Sequence, residues 1–180
     1  MINPKLRKEY FMQTLIIRDE IPADGDAITH VTVEAFKTLA VSDQTEQFVI
    51  IALRSAGALT LSLVAEMDGE IVGHIAFSPV TMSDSTPDWY GLGPVSVLPA
   101  HQRTGIGSAL IHEGLARLRG LGAKGCCLVG HPEYYPRFGF ANAPDLTLEG
   151  APPEVFFAIP FNGPVPRGFV TFHEGFGATS

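Results

Sequence analysis

The sequence predicts an α/β chain of the α+β type, with a mixed sheet and helices on both faces. Three observations carry that expectation. "LVAEMDGEIVGHIAF" reads as two strands around Asp68-Gly69, a strong hairpin signal. "YGLGPVSVLP", the helical stretch after Gly107 and "KGCCLVG" read as a strand–helix–strand unit. Two helical stretches precede the hairpin. A hairpin beside a strand–helix–strand unit places antiparallel and parallel pairs in one sheet. At 180 residues the chain suits one domain with a proper core and is short for two.

In chain order, "TLIIRDE" is the expected first strand. "ADGDAITHVTVEAFKT" and "SDQTEQFVIIALRSAG" are the two helices. Asp24 or Asp26 caps the first, Ser42 or Asp43 caps the second, and Gly57 ends it. The hairpin runs through "LTLSLVAEMDGEIVGHIAFSPVTM", and "STPDW" is a loop. In "YGLGPVSVLP", Gly91, Gly93 and Pro94 cannot all occupy a regular central ladder, so a bulge or an unpaired edge is expected. In the next helix Leu110, Ile111, Leu115, Leu118 and Leu121 share one arc. Glu113 and Arg117 make an i,i+4 pair, and Gly122 is the expected C-cap. "KGCCLVG" is a short apolar strand, and "HPEYYPRFGF" is a loop with one helical turn. "DLTLEG", "EVFFAIPF" and "GFVTFHEGF" are late strands. Residues 1–12 read as an N-terminal extension, the core motifs fill 59–141, and strands in 142–180 complete a single domain. Met12 offers an alternative start, because ordered-looking sequence begins just after it.

Composition narrows the function. Hydrophobic residues make up 46% and charged residues 17%, a globular balance. The formal charge is -7 and no basic track runs along the chain, so nucleic acid is not an expected partner. No apolar run approaches the roughly 18 residues of a membrane helix. The N-terminus lacks the apolar core of a signal peptide. No membrane association and a cytoplasmic location are therefore expected. Cys126 and Cys127 are adjacent, so on a strand they point to opposite faces and a disulfide between them would be strained. No Cys/His ligand spacing is present, and no metal is expected.

The stretch that carries chemistry is "VLPAHQRTGIGSALI", residues 97–111. Amides at a helix N-terminus, backed by the helix dipole, form an anion site, and glycines at 105 and 107 admit phosphate oxygens. The stretch is not a Walker motif, since no Lys-Ser or Lys-Thr pair follows. Leu110 stands where the third glycine of a dinucleotide fingerprint belongs. On its glycines alone it is equally a phosphate cradle and a plain strand-to-helix turn.

The wider string separates the two. "VSVLPAHQRTGIGSALI" resembles the acyl-CoA-binding motif of the GNAT superfamily of N-acetyltransferases, through Gln102-Arg103-Thr104-Gly105-Ile106-Gly107. A second superfamily pattern, Tyr-x-x-x-Gly-Phe, matches Tyr135 to Phe140. "LVAEMDGEIVGHIAFSPV" resembles the superfamily's central hairpin. The resemblance covers roughly residues 13–141, and "YYPRFGF" with the late strands is closest to its YhbS-like bacterial branch.

That resemblance implies the GNAT fold, with a mostly antiparallel central sheet splayed at the acyl-CoA site. It implies acetyl-CoA as co-substrate, bound along Val95, Ser96 and Val97, along Gln102, Arg103, Thr104, Gly105, Ile106, Gly107 and Ser108, and at Tyr135. A backbone N–H near Val95 to Val97 would polarise the acetyl carbonyl. Tyr135 matches the family tyrosine that protonates the departing sulfur. Its alternative is an aromatic wedge under the Gly-Phe turn, with Tyr134 as the fallback acid. Arg137 either helps hold a phosphate or is a solvated helix-end residue.

The base is where the sequence departs from the family pattern. Relatives often carry a Glu or His on the motif strand, where this chain has "YGLGP". The base candidates are His74 and Glu34, with Asp88 and Glu133 beside them; a packed strand histidine is the more common outcome for a residue like His74, and a solvated helix face the first reading of Glu34. His101 is a surface-loop residue, and His131 either reaches the thioester or caps the next turn. An acyl-cysteine route has no activating partner in the sequence.

The implied function is an N-acetyltransferase acting on a small amine or peptide amine by direct attack in a ternary complex. A rival is an acyl-CoA-binding module with a sensory or partner-binding role and little turnover. A nucleotide-binding enzyme, the third reading, is opposed by the missing Walker lysine. The resemblance also admits a homodimer. "PPEVFFAIPFNGPVP" supplies apolar surface for an acceptor cleft, an intersubunit sheet or the core.

Overall fold

A computed structural model describes residues 14–180 apart from 38 and 41. The expected N-terminal extension and the Met12 start lie outside the described residues. Among the described residues there are nine strands: β1 (Leu15–Asp19), β2 (Leu61–Met67), β3 (Glu70–Pro79), β4 (Thr81–Met82), β5 (Trp89–Val97), β6 (Gly125–Val129), β7 (Leu146–Leu148), β8 (Phe156–Pro160) and β9 (Gly168–Thr171). The helices are α1 (Gly25–Phe36), α2 (Glu46–Ser55) and α3 (Ile106–Gly120). The main sheet has the order β1-β2-β3-β5-β6-β8, antiparallel throughout except for the parallel β5–β6 pair. The late strands do not all extend it. β9 lies between β4 and β7 in a separate three-stranded sheet, and "GFVTFHEGF" leaves its strand at Thr171 for a single turn over Glu174–Gly177.

The two faces of the main sheet bury different cores. Leu110, Ile111, Leu115 and Leu118 of α3 pack with Leu63, Ile75 and Phe77. Each fully buried side chain of this size contributes roughly 1.5–3 kcal/mol, so this stripe alone fixes the helix on the sheet. Ile28 of α1 and Ile50 of α2 meet Val64 on the opposite face. Alternation along β6 divides the cysteines: Cys126 joins the α3 core, and Cys127 joins a cluster with Trp89, Phe156 and Val170.

Several local expectations need correction. Leu121 is not on the buried arc: it is 60% exposed, because α3 ends at Gly120 and the chain turns at Gly122 (φ 84°). Asp24 is the N-cap of α1, but its carboxylate makes no cap bond. Arg18 holds both of its oxygens, at 2.7 and 3.1 Å, and Ile21 N–H donates to it at 2.8 Å. Thr45, not Ser42 or Asp43, is the N-cap of α2. Ser42 braces that end from outside, donating to Glu46 Oε1 at 2.6 Å.

The awkward middle of β5 is a bulge. Its register against β3 passes from Ile75↔Val95 to Phe77↔Leu92, so Gly93 and Pro94 together face only Ala76 and lie outside the ladder. Pairing with β6 covers only Trp89, Gly91 and the residue between them. Beyond Gly91 the two parallel strands splay, and the sheet opens at its centre.

Candidate active site

The loop before α3 exposes donors. The first backbone bond of the helix runs from Ala109 N–H to Gly105 C=O at 2.9 Å. Among the described residues the amides of Ile106, Gly107 and Ser108 therefore have no backbone partner, and no side chain caps them. Arg103 (φ 62°) and Gly105 (φ 97°) are both left-handed, which curls the chain into a concave row of N–H groups. Side chains shape this loop from behind. Gln102 Nε2 donates to the Val97 carbonyl at 3.0 Å, and Thr104 Oγ1 donates to the His101 carbonyl at 2.6 Å. Those two side chains are thus held by the loop itself, and Ile106 contributes only its amide, its side chain being in the core. The free amides and helix dipole fit a pyrophosphate.

Backbone direction decides which residues of β5 face the opening. Leu98 N–H donates to Val72 of β3 at 2.9 Å, so Ser96 also turns its backbone toward β3. Val95 and Val97 turn theirs into the gap beside β6, where Gln102 reaches the Val97 carbonyl. Ser96, one of the expected binding residues, therefore turns its backbone away from the gap. Its side chain lies on the other face, 3.3 Å from Thr32 Oγ1 of α1, buried at 3% exposure.

Tyr135 closes the far side of the gap. Its ring lies against Gly130, just beyond β6, where any Cβ would overlap it. It packs among Phe138, Phe140 and Phe157, and burial pushes its hydroxyl pKa up to about 12. The phenol is thus a proton donor at neutral pH and not a base. Tyr134 faces the loop instead: its hydroxyl stands 3.3 Å from where a Cβ on Gly107 would be. The Arg137 guanidinium sits 4.6 Å over the Tyr134 ring.

The match to known proteins follows the same landmarks. The model of the acetyltransferase (GNAT) family matches residues 28–140. The chain is 33% identical over 171 residues to the N-acetyltransferase YhbS of Escherichia coli strain K12, covering 90% of this chain and 98% of that protein. The chain belongs to the GNAT family. It is similar to a GNAT acetyltransferase from Brucella melitensis in complex with acetyl-CoA, at 50% identity and a TM-score of 0.81 over 91% of this chain and 98% of that one. It is also similar to the YhbS structure from Escherichia coli in complex with CoA, at 31% identity and a TM-score of 0.83 over 93% and 94%. GNAT membership makes the chain an acyltransferase.

Within this GNAT chain the base candidates do not gather at the gap. His74 is completely buried. Its Nε2 lies 2.8 Å from Ser62 Oγ, which itself donates to the Glu20 carboxylate. Ser62 must therefore accept from His74, which assigns the proton to Nε2 and leaves Nδ1 without a partner among the described residues. Burial depresses the His74 pKa to about 4, against the pull of Glu20 and with the help of Arg54. Burial raises Glu20, but hydrogen bonds from Arg54 and Ser62 outweigh it and hold that carboxyl below its usual value. The relay ties the buried His74 through Ser62 and Glu20 to Arg54 of α2.

Glu34 is two residues past Thr32 on α1, about 200° around the helix and so away from β5. It pairs with Lys37 Nζ at 3.3 Å. Asp88 lies seven residues before Val95, roughly 20 Å away along the strand. Glu133 is exposed, two residues before Tyr135 on the same loop. His131 caps that turn, its Nδ1 accepting from Glu133 N–H at 3.3 Å. Both cysteines are fully buried and burial raises both thiols, so neither is a nucleophile. Among the described residues no cluster of His, Cys, Asp or Glu is arranged to hold a metal ion, and no helix is long and apolar enough to cross a membrane.

A feature that sequence reasoning missed explains the glycines of "YGLGP". A Cβ on Gly91 would overlap the Phe172 ring, and one on Gly93 would stand 3.7 Å from Phe176. The C-terminal segment covers the face of β5 that these two glycines leave bare. The spacing of Phe172 and Phe176 was visible, but nothing local links it to β5.

Proposed function

We propose that this chain moves an acetyl group from acetyl-CoA to the amine of a small molecule or peptide by direct attack within a ternary complex. The observation that supports it most is the open edge of β5 between the free amides of Ile106 to Ser108 and the Tyr135 phenol. In this reading the loop amides hold the pyrophosphate, and the Val95 and Val97 backbone groups pair with the pantetheine amides. An N–H of that edge stabilises the oxyanion as the amine nitrogen bonds to the carbonyl carbon. The C–S bond then breaks, and the Tyr135 hydroxyl gives its proton to the sulfur and recovers one from solvent. The ammonium proton leaves through water, with Glu133 the acceptor whose place on the Tyr135 loop suits that role.

The test is thiol release from acetyl-CoA by purified protein against a panel of amines. Amine-dependent release with a mass gain of one acetyl group on the amine is expected. Coenzyme binding without release for any amine overturns the proposal and leaves a binding module.

A further inference from the structure

We infer that Phe172 and Phe176 are the acceptor-selecting wall of this site and that the acceptor is an amine carrying an apolar or aromatic body. The inference rests on the acetyl-transfer reading above.

Alternation along β5 sets the geometry. Leu92 and Tyr90 pack on the α3 side, so Trp89 and Gly91 point to the opposite face. A thioester threaded into the gap from the N-terminus of α3 fills the near side. The nucleophile must then arrive from the α1/α2 side, where the two phenyl rings lie. Their centroids are 5.0 Å apart in an edge-to-face contact. Both rings are only partly buried, unlike the sealed aromatics of the core.

The wall is anchored. His173 Nδ1 accepts from Gly175 N–H at 3.0 Å, which holds the turn between the rings. Gly175 is packed against α2, where a Cβ would stand 3.3 Å from Leu53 and 3.4 Å from Ala52. Ser78, directly across from Gly91, has its hydroxyl buried with no partner among the described residues. The segment offers two rings and a single exposed carboxylate, Glu174. That chemistry suits one amino group on an apolar body and does not suit a polycation, which needs several carboxylates.

The experiment compares phenethylamine with spermidine at saturating acetyl-CoA, by thiol release, and measures amine binding to the coenzyme A-loaded protein by calorimetry. Phenethylamine is expected to exceed spermidine at least tenfold in kcat/KM. Phe176→Ala should raise its KM about tenfold, a larger change than in kcat, with the coenzyme A Kd unmoved. Phe176→Leu keeps the apolar volume, should give a smaller rise, and serves if the alanine variant does not fold. Equal or better use of spermidine overturns the inference, as does an unchanged KM in the variants or no binding of either amine. Phenethylamine binding that depends on Phe176 without thiol release supports the wall and overturns acetyl transfer instead.

Discussion

Lowering the pH from 7 to 5 should remove about 2 kcal/mol of stability through His74 alone. The folded chain holds this imidazole neutral, with its pKa near 4 against an ordinary 6.5, chiefly because it is fully buried. Between those values the unfolded chain binds a proton that the folded chain refuses. Stability from this residue is therefore complete above pH 6.5 and is lost as pH falls toward 4. At about 1.4 kcal/mol per unit, the full loss is roughly 3 kcal/mol, and about 2 kcal/mol of it has gone by pH 5. Urea denaturation at pH 7 and pH 5 measures it, with His74→Gln as the reference. Glutamine can still donate to Ser62 and does not titrate. The stability gap between wild type and variant should shift toward the variant by about 2 kcal/mol at pH 5, near 1 M in urea midpoint. A gap identical at the two pH values would refute the reasoning, because it would mean that His74 titrates alike in both states.

Three further outcomes are expected. Gly107→Val places a branched side chain between the Tyr134 hydroxyl and the free amides. It should weaken coenzyme A binding by at least tenfold in calorimetry, with the melting temperature little changed; unchanged binding removes the loop from the site. Tyr135→Phe keeps the packed ring and removes the acid, so turnover should fall on the order of a hundredfold while the coenzyme Kd holds; full turnover removes Tyr135 from the acid role. Gly125→Ala drives a methyl group into the buried ring of Trp89. It should cost about 2–3 kcal/mol and shift the emission of this single tryptophan, and an unshifted melting curve would contradict the packing.

The legible parts of this protein were those whose cause is local. Asp68 and Gly69 turn the hairpin by their own left-handed backbones (φ 51° and 86°). The two cysteines separate because neighbours on a strand always do. Gly91, Gly93 and Pro94 foretold the break in the β5 ladder, and the register shift against β3 lies there. What escaped depended on partners distant in sequence. Ser96 sits between two gap-facing valines, yet it turns its backbone to β3 and its side chain to α1. No string of residues reveals that β3 pairs on that side. Asp24 is the cap residue of α1, yet its carboxylate is drawn off by Arg18 of β1. Gly91 and Gly93 read as an empty place on the motif strand, and the rings that fill it come from about 80 residues later. His74 alternates out of the α3 core as its strand position requires, but its partners Ser62 and Glu20 come from β2 and from beyond β1, so its sealed surroundings were not legible.

Cys126 and Cys127 turn the sheet into its own clock. The two thiols are one residue apart, yet one belongs to the core beneath α3 and the other to the core shared with the small sheet. Neither reacts while its own core is shut. The rate at which each is alkylated under native conditions then times the opening of its own half. Coenzyme A bridging the splayed strands would slow both together, whereas a ligand seated only on the α3 loop would slow Cys126 and leave Cys127 as it was.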